Sequence, residues 1–370
     1  MLLGLDVSRL GQPNARTGVE WYSYNLLKQL IDIDDQNQYF LYSPRSKPSD
    51  LPELPANFQW HQLGWPTNKG WSKLGLSWEL LRHKPEILLV PAYVLPPIKN
   101  CPQAITWHDF AYETWPESYF PKQRKILIHG WQKVLHQADL ILVPSQAVKD
   151  YAVSKYPRVG EKIKVTPLGI DQAIFYQRAD LEIKSLLNRL IISKPYILFV
   201  GRLEAKKNIQ NIIKTFIVFN QKNNHNFQLV LAGSSGFGFD KVENLIAEHQ
   251  AEIVRVEKFN QDELAALYSG AQCLFFPSLA EGFGLPVLEA LSCKCPVVAS
   301  DLPIIHEIGG QAVCYVEPQS INSLINGLDK VVNDHNYQIE LLAQAQSQIA
   351  KFSWKNTAQL TLSALKAIKL

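Results

Sequence analysis

Glu281 and Glu289 stand eight residues apart in the run AEGFGLPVLEAL, and this pair is where the chain first offers chemistry. Glu289 is flanked by Val287, Leu288, Ala290 and Leu291, so a helix here carries a carboxylate within an apolar surface. A buried carboxylate without a partner is strongly disfavoured, so something polar must meet it, such as a ligand hydroxyl or a basic side chain. Pro286 suits the first turn of that helix, where its missing N–H does no harm. Gly282 and Gly284 lie just before it and leave backbone N–H groups to face an anion. An acid in the loop, an N–H-lined helix start and a second acid within the helix fit a nucleotide-sugar cradle. The plainer reading is a loop-to-helix junction with a salt-bridged glutamate.

Other candidates follow the same strand-to-loop logic. In Gly201-Arg202-Leu203-Glu204-Ala205-Lys206-Lys207-Asn208, Arg202 and Lys207 offer two cations near a helix start, and Lys206 reads as their solvent-facing neighbour. Fixed cations and N–H donors suit the charge of a leaving diphosphate; the alternative is a solvated basic turn. Gly233-Ser234-Ser235-Gly236-Phe237-Gly238 is not GxGxxG, and the first strand runs into Ser8-Arg9-Leu10-Gly11, which argues against a nicotinamide dehydrogenase. Thr17-Gly18-Val19-Glu20 opens the first long helix, where Gly18 lets backbone approach a ligand or simply makes a turn. His108, beside Asp109, ends a strand, and no GxSxG elbow exists to build a hydrolase triad with it. Trp107, Phe110, Tyr112, Trp115, Tyr119 and Phe120 gather nearby, to stack on sugar rings or to pack the domain.

The elements that must position these residues alternate along the chain. Apolar β-rich runs fall at residues 2–7, 39–42, 87–91, 104–107, 140–144 and 163–166, then at 196–200, 227–232, 253–256, 273–277, 296–300 and 312–316. Amphipathic helices lie between them; in NIQNIIKTFIVF, Ile209, Ile212, Ile213 and Phe216 form one stripe. Such alternation predicts parallel sheets covered on both faces, and two series predict two doubly wound domains. The boundary falls near Pro167-Leu168-Gly169-Ile170-Asp171, and a final helix after Ser353 is capped by it. Residues 63–77 read as a loop and the start of a helix. Ligands of open parallel sheets bind beyond the carboxyl ends of the strands, which is where every candidate above sits.

Bulk properties agree. With 370 residues, two domains are expected, and 46% hydrophobic against 19% charged residues describes a soluble globular chain. A net charge of +3 gives no argument for nucleic acid. No run reaches the length of a spanning helix and the start lacks a signal peptide, so a cytoplasmic protein is expected. Cys101, Cys273, Cys293, Cys295 and Cys314 read as reduced, buried thiols rather than disulfides or a zinc knuckle.

Together these pieces resemble the retaining family-4 glycosyltransferases of the GT-B fold, nearest to bacterial mannosyltransferase-like members. The resemblance rests on E-x7-E within PSLAEGFGLPVLEALSCKCPVVAS, VGRLEAKKN, PLGID, TGVEWYSYNLL, the His108-Asp109 pair and FSWKNTA, in that family's order along nearly the whole chain. It implies two Rossmann-like domains facing across a cleft: residues 1–168, completed by a terminal helix at about 354–370, and residues 169–353. Arg202 and Lys207 would hold the diphosphate, and Glu289 the ribose. Glu281 would contact the transferred sugar beside the backbone of Phe283, Gly284 and Leu285. Gly18 would approach the diphosphate and His108 the donor sugar. Two positions depart from the family: Glu20 stands where many relatives have glycine, and Asn208 replaces a common glycine whose geometry asparagine tolerates.

The implied function is retaining transfer of a hexose from a nucleoside-diphosphate sugar to a glycan or lipid-linked acceptor, GDP-mannose ahead of UDP-glucose. No cofactor or metal is expected, nor a nucleic-acid partner. Any membrane contact should be peripheral, on the inner face, through Lys122, Arg124 and Lys125. The rivals are a nucleotide-sugar 2-epimerase of the same fold, for which no extra acid/base residues can be assigned, and a catalytically silent scaffold subunit.

Overall fold

The computed structural model describes residues 1–11, 16–65 and 70–368. They contain two all-parallel sheets. The first has seven strands: β1 (Leu2–Asp6), β2 (Gln38–Ser43), β3 (Phe58–Gln62), β4 (Ile87–Val90), β5 (Gln103–Thr106), β6 (Leu140–Val143) and β7 (Ile163–Val165). Their order is β3-β2-β1-β4-β5-β6-β7. The second has six: β8 (Tyr196–Val200), β9 (Gln228–Ala232), β10 (Ile253–Val256), β11 (Cys273–Phe276), β12 (Val297–Ser300) and β13 (Val313–Val316). Their order is β10-β9-β8-β11-β12-β13. Each is a doubly wound Rossmann-like sheet whose order reverses once, between β1 and β4 in one and between β8 and β11 in the other.

The reason is legible in the strands. β4, β6, β8 and β11 are unbroken apolar runs, buried at every residue. A parallel strand with helices on both faces has no wet side. Every strand expected from these runs is present within a residue or so. The exception is β3, which the apolar pattern does not predict. Its sequence FQWHQ is half-exposed and broken by Gln59 and His61, because an edge strand satisfies polar side chains in water.

The chain clusters into two compact units. The first comprises Met1–Asp109, Pro121–Gly169 and Ser353–Leu370; the second comprises Phe110–Phe120 and Ile170–Phe352. Within the first unit the terminal helix Trp354–Lys366 packs on the helix Gly18–Ile33. Ser353 caps it as predicted, its side chain accepting from the Asn356 N–H. Thr357 Oγ1 donates to the Pro167 carbonyl at 2.5 Å. Residues 63–77 contain a π-turn, Trp71–Gly75, that runs into the helix Leu76–Arg82; residues 66–69 of that stretch lie outside the described residues. All five cysteines are buried and free.

Candidate donor-binding site

The second sheet reverses order between β8 and β11, and the loops leaving these two strands carry the predicted charges. After β8 come Arg202 and Lys207; after β11 come Glu281 and the helix Leu285–Ser292, which holds Glu289. Lys207 Nζ donates to Glu281 Oε1 at 2.5 Å. Neither side chain is far into solvent, with exposures of 14% and 9%. The ammonium also stands 5.1 Å from the Phe276 ring centroid. Two residues expected to touch different parts of one ligand are thus bonded to each other.

Arg202 is exposed, and its Nε makes one long contact to the Ser235 carbonyl at 3.5 Å. Among the described residues no carboxylate pairs with it. Lys206 differs from expectation. It is not the free solvent-facing lysine: it sits 3.6 Å from Glu204, and its Nζ lies 5.7 Å from the Tyr119 ring. The 3₁₀ turn Ala205–Lys207 turns Lys206 toward the segment 110–120, which belongs to the same unit. Asn208 takes the left-handed conformation (φ 63°), and its amide donates to the Pro277 and Pro318 carbonyls. The asparagine therefore does more than replace a glycine: it ties the β8 loop to the chain after β11.

Gly284 is the N-cap of the helix Leu285–Ser292 at φ 113°, a backbone region that side chains rarely enter. Pro286 occupies the first turn. The first backbone N–H groups of a helix have no intrahelical partner, so Phe283, Gly284 and Leu285 bring a donor-rich helix start to this loop. Phe283 itself is buried, its ring 5.7 Å from that of Phe352.

Glu289 is half-buried on this helix, and its partner is neither a basic side chain nor a ligand but Tyr268, whose hydroxyl donates to Oε2 at 2.8 Å. Burial pushes its carboxyl up to about 7, against the tyrosine hydrogen bond that favours the charged form. Hydrogen bonds donated to a carboxylate favour its charged form, so hydroxyl donors can draw the proton from a carboxyl raised in this way. Sequence reasoning misses Tyr268, because nothing but its place on the buried face of the helix Gln261–Gly270 marks it.

In the first unit, Gly18 is exposed at the start of its helix, and a Cβ there would meet nothing within 4 Å. Glu20 serves the backbone, since its Oε2 accepts from the Thr17 N–H at 2.6 Å, as in a capping box. His108 is buried, with Nε2 3.0 Å from the Pro91 carbonyl and its ring edge-on to Tyr22 and Tyr93. A carbonyl can only accept, so Nε2 carries the proton and Nδ1 of the neutral ring is an acceptor. Burial lowers its pKa and keeps the ring neutral. Trp107 is a core residue of this unit; Phe110 and Tyr112, close in sequence, are buried in the second unit, where Phe120 is exposed and edge-on to Phe237.

The second unit thus joins a fixed lysine–glutamate pair, an uncompensated arginine, a helix N-terminus and a near-neutral glutamate around one switch point. Such an arrangement can hold an anion beside acceptors for hydroxyl groups.

Residues 16–173 match the family model Glycosyltransferase Family 4, and residues 188–350 match Glycosyl transferases group 1. The O-antigen chain mannosyltransferase B of Escherichia coli is 28% identical over 300 residues, 79% of this chain and 77% of that protein. The O-antigen chain mannosyltransferase RfbU of Salmonella typhimurium is 25% identical over 374 residues, 96% of this chain and 97% of its own. Among solved structures, the sucrose-phosphate synthase of Thermosynechococcus elongatus superposes with a TM-score of 0.76 at 18% identity, covering 99% of this chain and 98% of that one. Anabaena HepE in complex with UDP and glucose gives 0.74 at 17% identity, covering 99% of both chains. At such identities the structural matches speak for the fold, which is GT-B.

Proposed function

Since the chain belongs to the group 1, family-4 glycosyltransferases of the GT-B fold, we propose that it moves a hexose, mannose before glucose, from a nucleoside-diphosphate sugar with retention of anomeric configuration. The observation that carries this reading is the Lys207–Glu281 pair beside exposed Arg202 at the β8/β11 switch point. Arg202, Lys207 and the N–H groups at Phe283, Gly284 and Leu285 bind the diphosphate and hold its charge as it leaves, the role a metal ion plays elsewhere. Glu289 accepts the ribose hydroxyls. Glu281 faces the transferred sugar, where positive charge develops at the anomeric carbon. Gly18 is assigned to the diphosphate, and His108 Nδ1 to a hydroxyl of the donor sugar. Mannose is favoured by the names of the relatives, two O-antigen mannosyltransferases of comparable length.

The acceptor is a glycan, and we assign it a lipid carrier. No described helix is long and apolar enough to cross a membrane. The helix Pro121–Gln137 instead offers exposed Lys122 and Lys125 and half-exposed Arg124 beside exposed Ile126. Such a patch suits a surface contact with anionic lipid. Flotation with anionic liposomes should be weakened by salt and by neutralising the three basic residues; binding indifferent to both removes this contact.

Calorimetry with GDP-mannose, UDP-glucose and their nucleoside diphosphates tests the main reading. Slow donor hydrolysis, its first-formed anomer read by NMR, tests retention. Binding of a sugar nucleotide with release of the retained anomer is expected. Binding of none of these nucleotides would point instead to a silent scaffold.

A further inference from the structure

We propose that His61, Glu79 and His83 form a binding site for a divalent transition-metal ion, zinc by its donor set, that ties the edge strand β3 to the helix Leu76–Arg82. Among the described residues this is the one group of three or more potential ligands whose donor atoms converge, all within 4.8 Å of one another. Glu79 Oε2 lies 3.2 Å from His83 Nδ1 and 3.9 Å from His61 Nδ1. Ligands held at zinc bond lengths in a tetrahedron stand about 3.3 Å apart, so small side-chain adjustments close the set. Two imidazoles and one carboxylate leave a fourth position for solvent, and His83 at 38% exposure gives the ion a way in.

The surroundings argue for a cation rather than for a plain hydrogen-bonded cluster. Glu79 is 5% exposed, and a buried carboxylate needs positive charge beside it. The two histidine rings are 4.5 Å apart, and each turns its Nδ1 toward Glu79 Oε2. A metal ion supplies that charge, with the two imidazoles as its ligands.

The frame is rigid as well. Glu79 lies within the helix Leu76–Arg82, and His83, four residues on, is its C-cap, whose N–H donates to the Glu79 carbonyl. His61 is fixed by its register opposite Tyr42 of β2. The Tyr42 hydroxyl donates to the His83 carbonyl at 2.5 Å, and the Phe40 ring centroid is 4.4 Å from that of His61. No spacing motif announces the site, because one ligand comes from β3, which the sequence pattern does not reveal. The inference is independent of the site around Lys207, Glu281 and Glu289, which lies in the second unit.

The test uses the full chain, stripped of metal and titrated with zinc chloride against a chromogenic chelator. One equivalent should bind, and zinc should raise the unfolding temperature by mass action. His61→Asn and His83→Asn should each weaken zinc at least about tenfold, the loss seen even when a supporting partner of a ligand is removed. His225→Asn, in a separate pair with Glu252, should leave affinity unchanged. Cobalt(II) should give visible bands of a nitrogen and oxygen site without sulfur charge transfer. Circular dichroism confirms that each variant is folded, and the wild-type titration decides the matter even if a variant is not. Absence of stoichiometric uptake, wild-type affinity in either folded variant, or a thiolate spectrum from the buried cysteines overturns the proposal.

Discussion

Lys207 and Glu281 are bonded through Nζ and Oε1 at 2.5 Å although 74 residues separate them, because β8 and β11 are neighbours across the point where the second sheet reverses. The pair holds the cation assigned to the diphosphate against the carboxylate assigned to the sugar. Each therefore sets the other's orientation.

Glu281→Gln removes the carboxylate and leaves the Lys207 charge wholly to a phosphate. Affinity for the free nucleoside diphosphate should be kept or increased, while kcat falls severely, since an interaction strengthened in the transition state appears in kcat. Calorimetry and steady-state kinetics read the two effects. Lost nucleotide affinity together with normal turnover would reverse the assignment.

Glu289 titrates from about 7 in the folded chain against an ordinary value of 4.5. The raised value means that its contribution to stability is fully present below 4.5 and is lost as pH rises toward 7. Ribose hydroxyls donate to the ionised form, so sugar-nucleotide affinity should rise with pH through about 7. Glu289→Gln should flatten that profile and weaken binding by about 1.5–3 kcal/mol, ten- to a hundredfold. Calorimetry between about pH 5.5 and 8.5, a range chosen to bracket that value, checks both. A flat wild-type profile counts against the ribose contact.

His108 is held neutral, with its pKa below the ordinary 6.5. The unfolded chain then takes up the proton first, so this residue costs stability as pH falls below 6.5. His108→Phe strands the Pro91 carbonyl and should destabilise by about 1–3 kcal/mol at neutral pH. Its deficit should narrow on acidification, and transfer should slow if Nδ1 accepts from the donor sugar. Urea unfolding across pH gives the first result. A deficit constant with pH contradicts the neutral-histidine reading.

Gly169 is packed against the start of the terminal helix: a Cβ there would stand 2.0 Å from the Trp354 backbone nitrogen. No side-chain rotation relieves a clash with backbone. Gly169→Ala should cost about 3 kcal/mol or more, the upper end for overpacking, and free the terminal helix from the first unit. Thermal unfolding and protease sensitivity near residue 353 report it, and wild-type stability would mean that the helix docks otherwise.

Transfer should need no added magnesium or manganese, because Arg202, Lys207 and a helix N-terminus are assigned the diphosphate charge. Brief chelation should leave kcat unchanged. Activity lost to chelator and restored by magnesium sinks that assignment; activity restored by zinc alone would implicate the His61–Glu79–His83 cluster instead.

The sequence by itself determined the two parallel sheets, since buried strands must be apolar along their whole length and the helices between them must carry one apolar stripe. It also located the candidate chemistry, because polar and glycine-rich residues directly after such strands lie at the ligand-binding edge. Gly284, Pro286 and Asn208 could be read in advance because their backbone demands are local. Pairing could not be read. That Lys207 meets Glu281, that Tyr268 meets Glu289, and that Lys206 turns toward Tyr119 depends on which strands and helices become neighbours. Strand β3 was hidden because an edge strand need not be apolar, and with it went the convergence of His61 on Glu79 and His83. Periodicity records which face of an element is buried; only the packed sheet and its helices decide which side chain waits on the other side.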